Sequence, residues 1–224
     1  MFFVDSDFPE NPYPGARPDR SFAHEAGLGW PMAPAGPGWN VDGRTADEWL
    51  AERDAAPLAG RVPVLAYGSN ANPSKITWLR SAYGLSGPVV VLRVRCTGLA
   101  AVWATHLRIR DGQRPATLMA EPGRVEWHAV WLATPDQVRV LDQCEGRGVR
   151  YRLVRLDCGT VTTEGGTDLT GVLAYTAAGE QRAPLLVDGR AVRCADVPQA
   201  AALRLSGTPG PDGLTVREIT GSPG

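Results

Sequence analysis

With 224 residues and 43% hydrophobic content, the chain is long enough to bury one sizeable core, with extensions. Its formal net charge of -1 gives no basic footprint for nucleic acid or a membrane surface. The four cysteines (Cys96, Cys144, Cys158 and Cys194) form no C-x-x-C pair and lack zinc spacing to the three histidines. That argues against both a disulfide framework and a metal site.

The first residues, "MFFVDSDFPENPYP", are acidic and broken by proline, so no signal peptide is expected. No apolar run is long enough to span a bilayer. The expected location is a reducing cytoplasm. Residues 1–44 are rich in Pro and Gly and carry Trp30 and Trp39. They read as an arm laid over a main domain of residues 45–205, because a disordered tail has few aromatics. Residues 206–224 read as a C-terminal tail.

A short helix is predicted from Thr45, with Glu48 completing a capping box. "RVPVLAYG" reads as a short buried strand. "NPSKITWLRSAYG" reads as a helix, with Asn72 as N-cap, Pro73 at its first position and Gly84 past its end. "PVVVLRVRCTGLAAVWA" reads as a strand with a break near Gly98. "PATLMAEPG" and "RVEWHAVWLAT" read as two strands joined by a Glu-Pro-Gly turn. A helix follows, capped by Thr134, with Pro135 first, Gln137 at the capping-box position and Gly146 as its stop. "VRYRLVRLDCGTV" and "TGVLAYTA" read as a hairpin around Glu164-Gly165-Gly166, and "DVPQAAALRLSG" as a last helix. Strands dominate and no βαβ alternation is sustained. The fold class is therefore α+β, built on a small, curved sheet or barrel.

Two places in this pattern suggest chemistry. The strand before "YGSNANP" ends on a glycine, a hydroxyl and an amide. That sequence suits a tight turn, a serine nucleophile or an anion cradle at a helix N-terminus. In the helix from Thr134, Glu145 follows Leu141 by four positions and Val138 by seven, so it falls on the apolar face. A carboxylate there is costly unless paired, and desolvation would suit it to general-base work. It could instead turn outward at the helix end or pair with Arg147 or Arg150.

Together, "LAYGSNANP" and "LDQCEGRGVRYRLVRL" resemble the two signatures of the gamma-glutamylcyclotransferase family. The segment between them is similar in order and spacing, and the resemblance covers roughly residues 62–180. It implies a small mixed β-barrel flanked by helices, with a pocket at one mouth. It also implies release of 5-oxoproline and an amine from a small-molecule γ-glutamyl substrate. On matching positions Glu145 would be the acid/base, and Tyr67, Gly68, Ser69, Asn70 and Ala71 the substrate loop. Tyr151 and Tyr175 would line the pocket. No metal or organic cofactor is implied. Ala71 departs from the bulky apolar residue usual in the family.

Other readings compete with this one. Gly-Ser-Asn is not the G-x-S-x-G elbow of a serine hydrolase, and His24, His106 and His128 have no evident relation to Ser69. Cys144 beside Glu145 reads as core rather than as a thiol nucleophile. Arg147, Arg150, Arg152 and Arg155 read as a solvated face, or as a seat for an anionic leaving portion. The rival from another class is a non-catalytic ligand-binding or interaction module on the same barrel.

Overall fold

The computed structural model describes residues 1–221. Its N-terminal strands are β1 (Phe3–Val4), β2 (Phe22–Glu25), β3 (Leu28–Ala35), β4 (Gly38–Val41) and β5 (Arg44–Thr45). Helix α1 (Ala46–Ala51) starts at Thr45 through both bonds of the Thr45–Glu48 capping box. Strand β6 (Val62–Ala66) leads through a 3₁₀ turn at Ser69–Ala71 into α2 (Pro73–Tyr83). The Asn72 side chain accepts from the Lys75 amide at 2.8 Å, and Gly84 closes the helix at φ +70. Long strands β7 (Val89–Trp103) and β8 (Ala116–Ala133) come next. Helix α3 (Pro135–Glu145) is capped by Thr134 and Gln137 and stopped by Gly146.

Then follow β9 (Tyr151–Leu156), β10 (Thr160–Thr163) and β11 (Leu173–Ala177). The chain continues through β12 (Leu185–Val187), β13 (Arg190–Ala191), the single-turn α4 (Gln199–Ala202), β14 (Thr208–Pro209) and β15 (Val216–Glu218).

The fold is α+β, with one large, mostly antiparallel sheet in the order β15-β9-β11-β6-β8-β7-β2-β3-β4-β5. Only β11 and β6 pair in parallel among the described ladders. The ordering has two ends, and among the described residues no ladder joins β15 to β5, so the expected barrel is not closed by strand pairing. Strand β7 is long enough to serve three partners. It pairs with β8 along one side, and with β2 and then β10 along the other. A small second sheet, β13-β12-β14, stands apart.

Three expectations need correction. Glu121-Pro122-Gly123 does not turn the chain back. Both halves of β8 pair antiparallel to β7, and register jumps from Thr97↔Val125 to Leu99↔Ala120, so residues 121–124 bulge opposite Gly98. The break expected near Gly98 lies at this bulge. The hairpin of β9 and β11 forms, but its connection carries β10, which leaves to pair with β7. Residues 1–44 are hydrogen-bonded into the large sheet, β2 against β7 at Phe22↔Val91. Their pattern of prolines and glycines masks strands that follow no sustained alternation.

The sheet is covered on both faces, so its central strands are apolar on both sides. On β7, Val90, Leu92, Val94 and Cys96 enter one core with Leu65, Val130, Trp49 and Met32. Val89 and Val91 enter the other with Ile76 and Leu79 of α2 and Val138 and Leu141 of α3. In the first core Trp49 is fully buried, Trp30 lies 5.3 Å from it and Arg53 caps its ring at 3.7 Å. Burial of one such indole contributes on the order of 4 kcal/mol.

Candidate active site

Strand β6 and helix α3 end at the same place. The turn after β6 carries Asn70, whose Nδ2 donates to Glu145 Oε1 at 2.8 Å. The turn is pinned from below, because Trp131 Nε1 donates to the Asn70 carbonyl at 2.8 Å. A carboxylate only accepts, so the amide nitrogen must face it. That leaves Asn70 Oδ1 buried without a hydrogen-bond partner.

Four tyrosines surround this pair. Tyr67 donates its hydroxyl to the Tyr175 carbonyl. Tyr175 donates to Asp142 Oδ1 at 2.8 Å, and Tyr151 to the Ala116 carbonyl at 3.3 Å. The Ala116 amide donates in turn to Tyr13 Oη at 3.0 Å. Burial pushes the Tyr13 hydroxyl up to about 12 and raises Tyr67, Tyr151 and Tyr175 well above the ordinary value. All four therefore stay neutral near pH 7; Tyr67, Tyr151 and Tyr175 donate, while the Tyr13 oxygen accepts from Ala116.

These groups line one cavity of about 550 Å³. Tyr67, Gly68, Ser69, Asn70, Glu145, Tyr151 and Tyr175 all reach it. Ala71 does not. The 3₁₀ turn directs its methyl inward, where it is 1% exposed among Val64, Ile76 and Trp131. The room left by its small side chain belongs to a separate cavity of about 190 Å³ that it lines with Phe22 and Val91.

No histidine lines the larger cavity among the described residues, so Ser69 has no imidazole base there. His24 is instead bonded to Asp5 at 2.8 Å, and His128 sits 3.1 Å from Glu126. Burial raises the Cys144 thiol, chiefly by desolvation and then by Glu145, so it is a poor nucleophile. Arg150 donates to the Cys144 carbonyl at 2.8 Å and so serves the C-terminus of α3, while Arg147 pairs with Asp142 at 2.9 Å. Among the described residues no three metal-ligating side chains are grouped to hold an ion. No helix among them is long and apolar enough to cross a membrane.

Among the polar residues that line the cavity, sequence reasoning missed Tyr13, Lys75, Arg108, Arg110 and Arg182. Tyr13 comes from the proline-rich segment. A Cβ built on Gly68 would lie 2.7 Å from its hydroxyl oxygen, so Gly68 is needed for this close approach. A tyrosine bracketed by prolines in an otherwise polar stretch was the available signal. The segment is fastened by Asn72, whose Nδ2 donates to the carbonyls of Phe8, Pro9 and Ala16 at 2.9, 3.2 and 2.7 Å. Lys75 is the chain's only lysine, and its ammonium lies 3.5 Å from the Trp78 ring centroid. Burial lowers its pKa, opposed by Cys144 and Glu145.

No protein-family model matches this chain, and no curated protein does. Among solved structures it is similar to a gamma-glutamyl cyclotransferase, with a TM-score of 0.44 at 20% identity over 55% of this chain and 70% of that one. A gamma glutamyl cyclotransferase specific to glutathione from yeast gives 0.35 at 16% identity, over 55% and 72%. YkqA from Bacillus subtilis gives 0.40 at 13% identity, over 74% and 60%.

Proposed function

We propose that the protein is a cyclotransferase that releases 5-oxoproline and an amine from a γ-glutamyl substrate. The observation that carries this reading is the Asn70–Glu145 hydrogen bond inside the cavity. It joins the two motifs on which the sequence resemblance rests. A carboxylate and an unsatisfied amide oxygen, side by side, suit an ammonium ligand.

In this reading the substrate α-nitrogen sits between Glu145 and Asn70 Oδ1. Glu145 takes a proton from it, and the freed lone pair attacks the substrate's own γ-carbonyl carbon. A C–N bond forms and closes a five-membered ring. The amide C–N bond to the leaving amine then breaks. Two protons move overall from the α-nitrogen to the leaving nitrogen, with Glu145 as the relay, and no water is consumed. Because nucleophile and electrophile belong to one molecule, orientation and proton transfer are most of what the protein must supply. The α-carboxylate is held by backbone N–H groups of the Gly68–Asn70 turn, next to the start of α2.

The test is product detection. The purified protein is incubated with γ-glutamyl peptides and γ-glutamyl amines, and 5-oxoproline is measured by mass spectrometry. Release from at least one compound, absent without protein, is expected. No release across the panel would refute the reading.

A further inference from the structure

Of the four tyrosines around the cavity, three spend their hydroxyl protons on the protein. Tyr67 donates to the Tyr175 carbonyl, Tyr175 to Asp142 and Tyr151 to the Ala116 carbonyl. Tyr13 is different. It lines the same cavity, and its oxygen accepts from the Ala116 amide at 3.0 Å. Among the described residues no group accepts its proton. A buried O–H without an acceptor is costly, and a bound oxygen atom removes that cost.

The hydroxyl is held in place from several sides. Asn72 Nδ2 fastens the chain before and after it through the carbonyls of Phe8, Pro9 and Ala16. The Arg108 guanidinium, gripped by Asp111 at 3.1 and 2.8 Å, lies 4.6 Å from the Tyr13 ring centroid, and the Trp103 ring lies 6.1 Å away. The oxygen sits between Ala116 and Gly68, and only the missing side chain of Gly68 lets it approach the turn. A donor fixed before substrate arrives is what stabilisation of a developing charge requires.

The proton is also the right kind. Burial pushes the Tyr13 hydroxyl up to about 12, with Arg108, Glu145 and Cys194 as the titratable groups facing it, so the proton stays on near neutral pH. The N–H bond that the oxygen accepts polarises the O–H and strengthens it as a donor.

The substrate has one group left to match. In the cyclotransferase reading the α-nitrogen goes to Glu145 and Asn70 Oδ1, and the α-carboxylate to the backbone of the turn. The γ-carbonyl oxygen has no partner, and negative charge grows on it when the amine attacks. Resting on that reading, we propose that Tyr13 is a further catalytic residue, whose hydroxyl donates a hydrogen bond to the substrate's γ-carbonyl oxygen. As the new C–N bond forms, the carbonyl π pair moves onto this oxygen, and Tyr13 keeps its proton throughout. When the pair returns, the bond to the leaving amine breaks, and Glu145 protonates that amine. Tyr13 belongs to residues 1–44, outside the stretch that resembles the family, so the N-terminal segment brings this donor to the site.

The experiment measures kcat and KM for 5-oxoproline release over a panel of γ-glutamyl peptides and amines. Tyr13→Phe is expected to lower kcat by about a hundred- to a thousand-fold, the usual worth of one oxyanion donor, with KM within about twofold of wild type. That variant also leaves the Ala116 amide without an acceptor. A second variant therefore replaces Tyr13 by a ring-difluorinated tyrosine, whose hydroxyl is more acidic but whose phenolate still accepts from Ala116. Its kcat should fall at a lower alkaline pH than that of wild type, because a phenolate cannot donate. A tyrosine that only fills space would leave the two pH profiles superimposed.

Three results would overturn the proposal: superimposed profiles, a loss in Tyr13→Phe that lies in KM alone, or a kcat in Tyr13→Phe within about threefold of wild type. Each leaves the cyclotransferase reading standing, since wild type turns over in all of them. Wild type that releases no 5-oxoproline from any compound would refute the cyclotransferase itself, and this role with it.

Discussion

The cavity has two kinds of wall. One is built from residues 64–76 and 134–151, where every element announces itself: a proline after a capping residue, a glycine in the left-handed region at each helix end, and a carboxylate on the apolar face. The other is built from Tyr13, the 107–110 segment and Arg182, where no local rule marks a residue as inward-facing. The first wall carries Asn70 and Glu145, and the second carries three of the five cations that line the cavity, Arg108, Arg110 and Arg182. Local signals therefore report the placement of Glu145 better than the make-up of the facing wall. The second wall is assembled from segments far apart in sequence, which only tertiary packing brings together.

The sharpest way to break the assignment of chemistry to the first wall is Glu145→Gln. The amide preserves shape and can still bond to Asn70, but it cannot take a proton near neutral pH. Release of 5-oxoproline is expected to fall by about two to four orders of magnitude, the usual worth of a positioned acid/base. The melting temperature should be almost unchanged. Turnover equal to wild type would move the chemistry elsewhere.

The junction between the walls is Asn72. Its oxygen caps α2 while its nitrogen holds three carbonyls of the N-terminal segment. Asn72→Ala removes a cap and strands buried acceptors. The expected loss is about 2–4 kcal/mol by denaturant titration. A loss below about 0.5 kcal/mol would mean that the segment is held by its own strands rather than by this side chain.

How much was legible follows the same division. The three main helices begin where their caps stand, and α2 and α3 also end at theirs, because capping is a local hydrogen-bonding matter. Glu145 was legible because helical phase is arithmetic. The Glu121-Pro122-Gly123 stretch was misread because turn-forming residues also suit a bulge, and only the common partner β7 decides between them. Residues 1–44 gave an incomplete signal. Trp30 and Trp39 pointed to packing, and both rest against the core. Nothing in the prolines disclosed that β2 would complete the edge of β7, or that Tyr13 would reach Gly68.

That last contact offers a finer test of whether the two walls act as one. Gly68→Ala puts a methyl where the Tyr13 hydroxyl already sits, at 2.7 Å. A cost of about 1–3 kcal/mol is expected, as for other overpacked sites. Tyr13→Phe removes the oxygen that clashes. In a double-mutant cycle the pair should couple by about 1 kcal/mol, with the second change relieving part of the first. Additive losses would show that Gly68 is required for some other reason.

The smallest effect concerns the anchoring of the N-terminal segment itself. His24 on β2 is fully buried and bonds to Asp5 Oδ1 at 2.8 Å, while its Nδ1 has no partner. The charged groups facing it are Asp5, Glu25 and Arg80. Burial lowers its pKa, and the Asp5 hydrogen bond only partly opposes this. The unfolded chain therefore binds a proton at a higher pH than the folded chain does. Between those two values stability rises with pH. The contribution is complete above the ordinary histidine pKa of about 6.5 and is lost as pH falls through the lower, folded value. Wild type should lose stability as pH falls below about 6.5, and His24→Gln should flatten that part of the stability profile. The comparison is between the two slopes, which removes the background of carboxylates that titrate in both proteins. Identical slopes would mean that Asp5 holds the imidazolium as well as the imidazole, and that this end of the sheet is indifferent to acid.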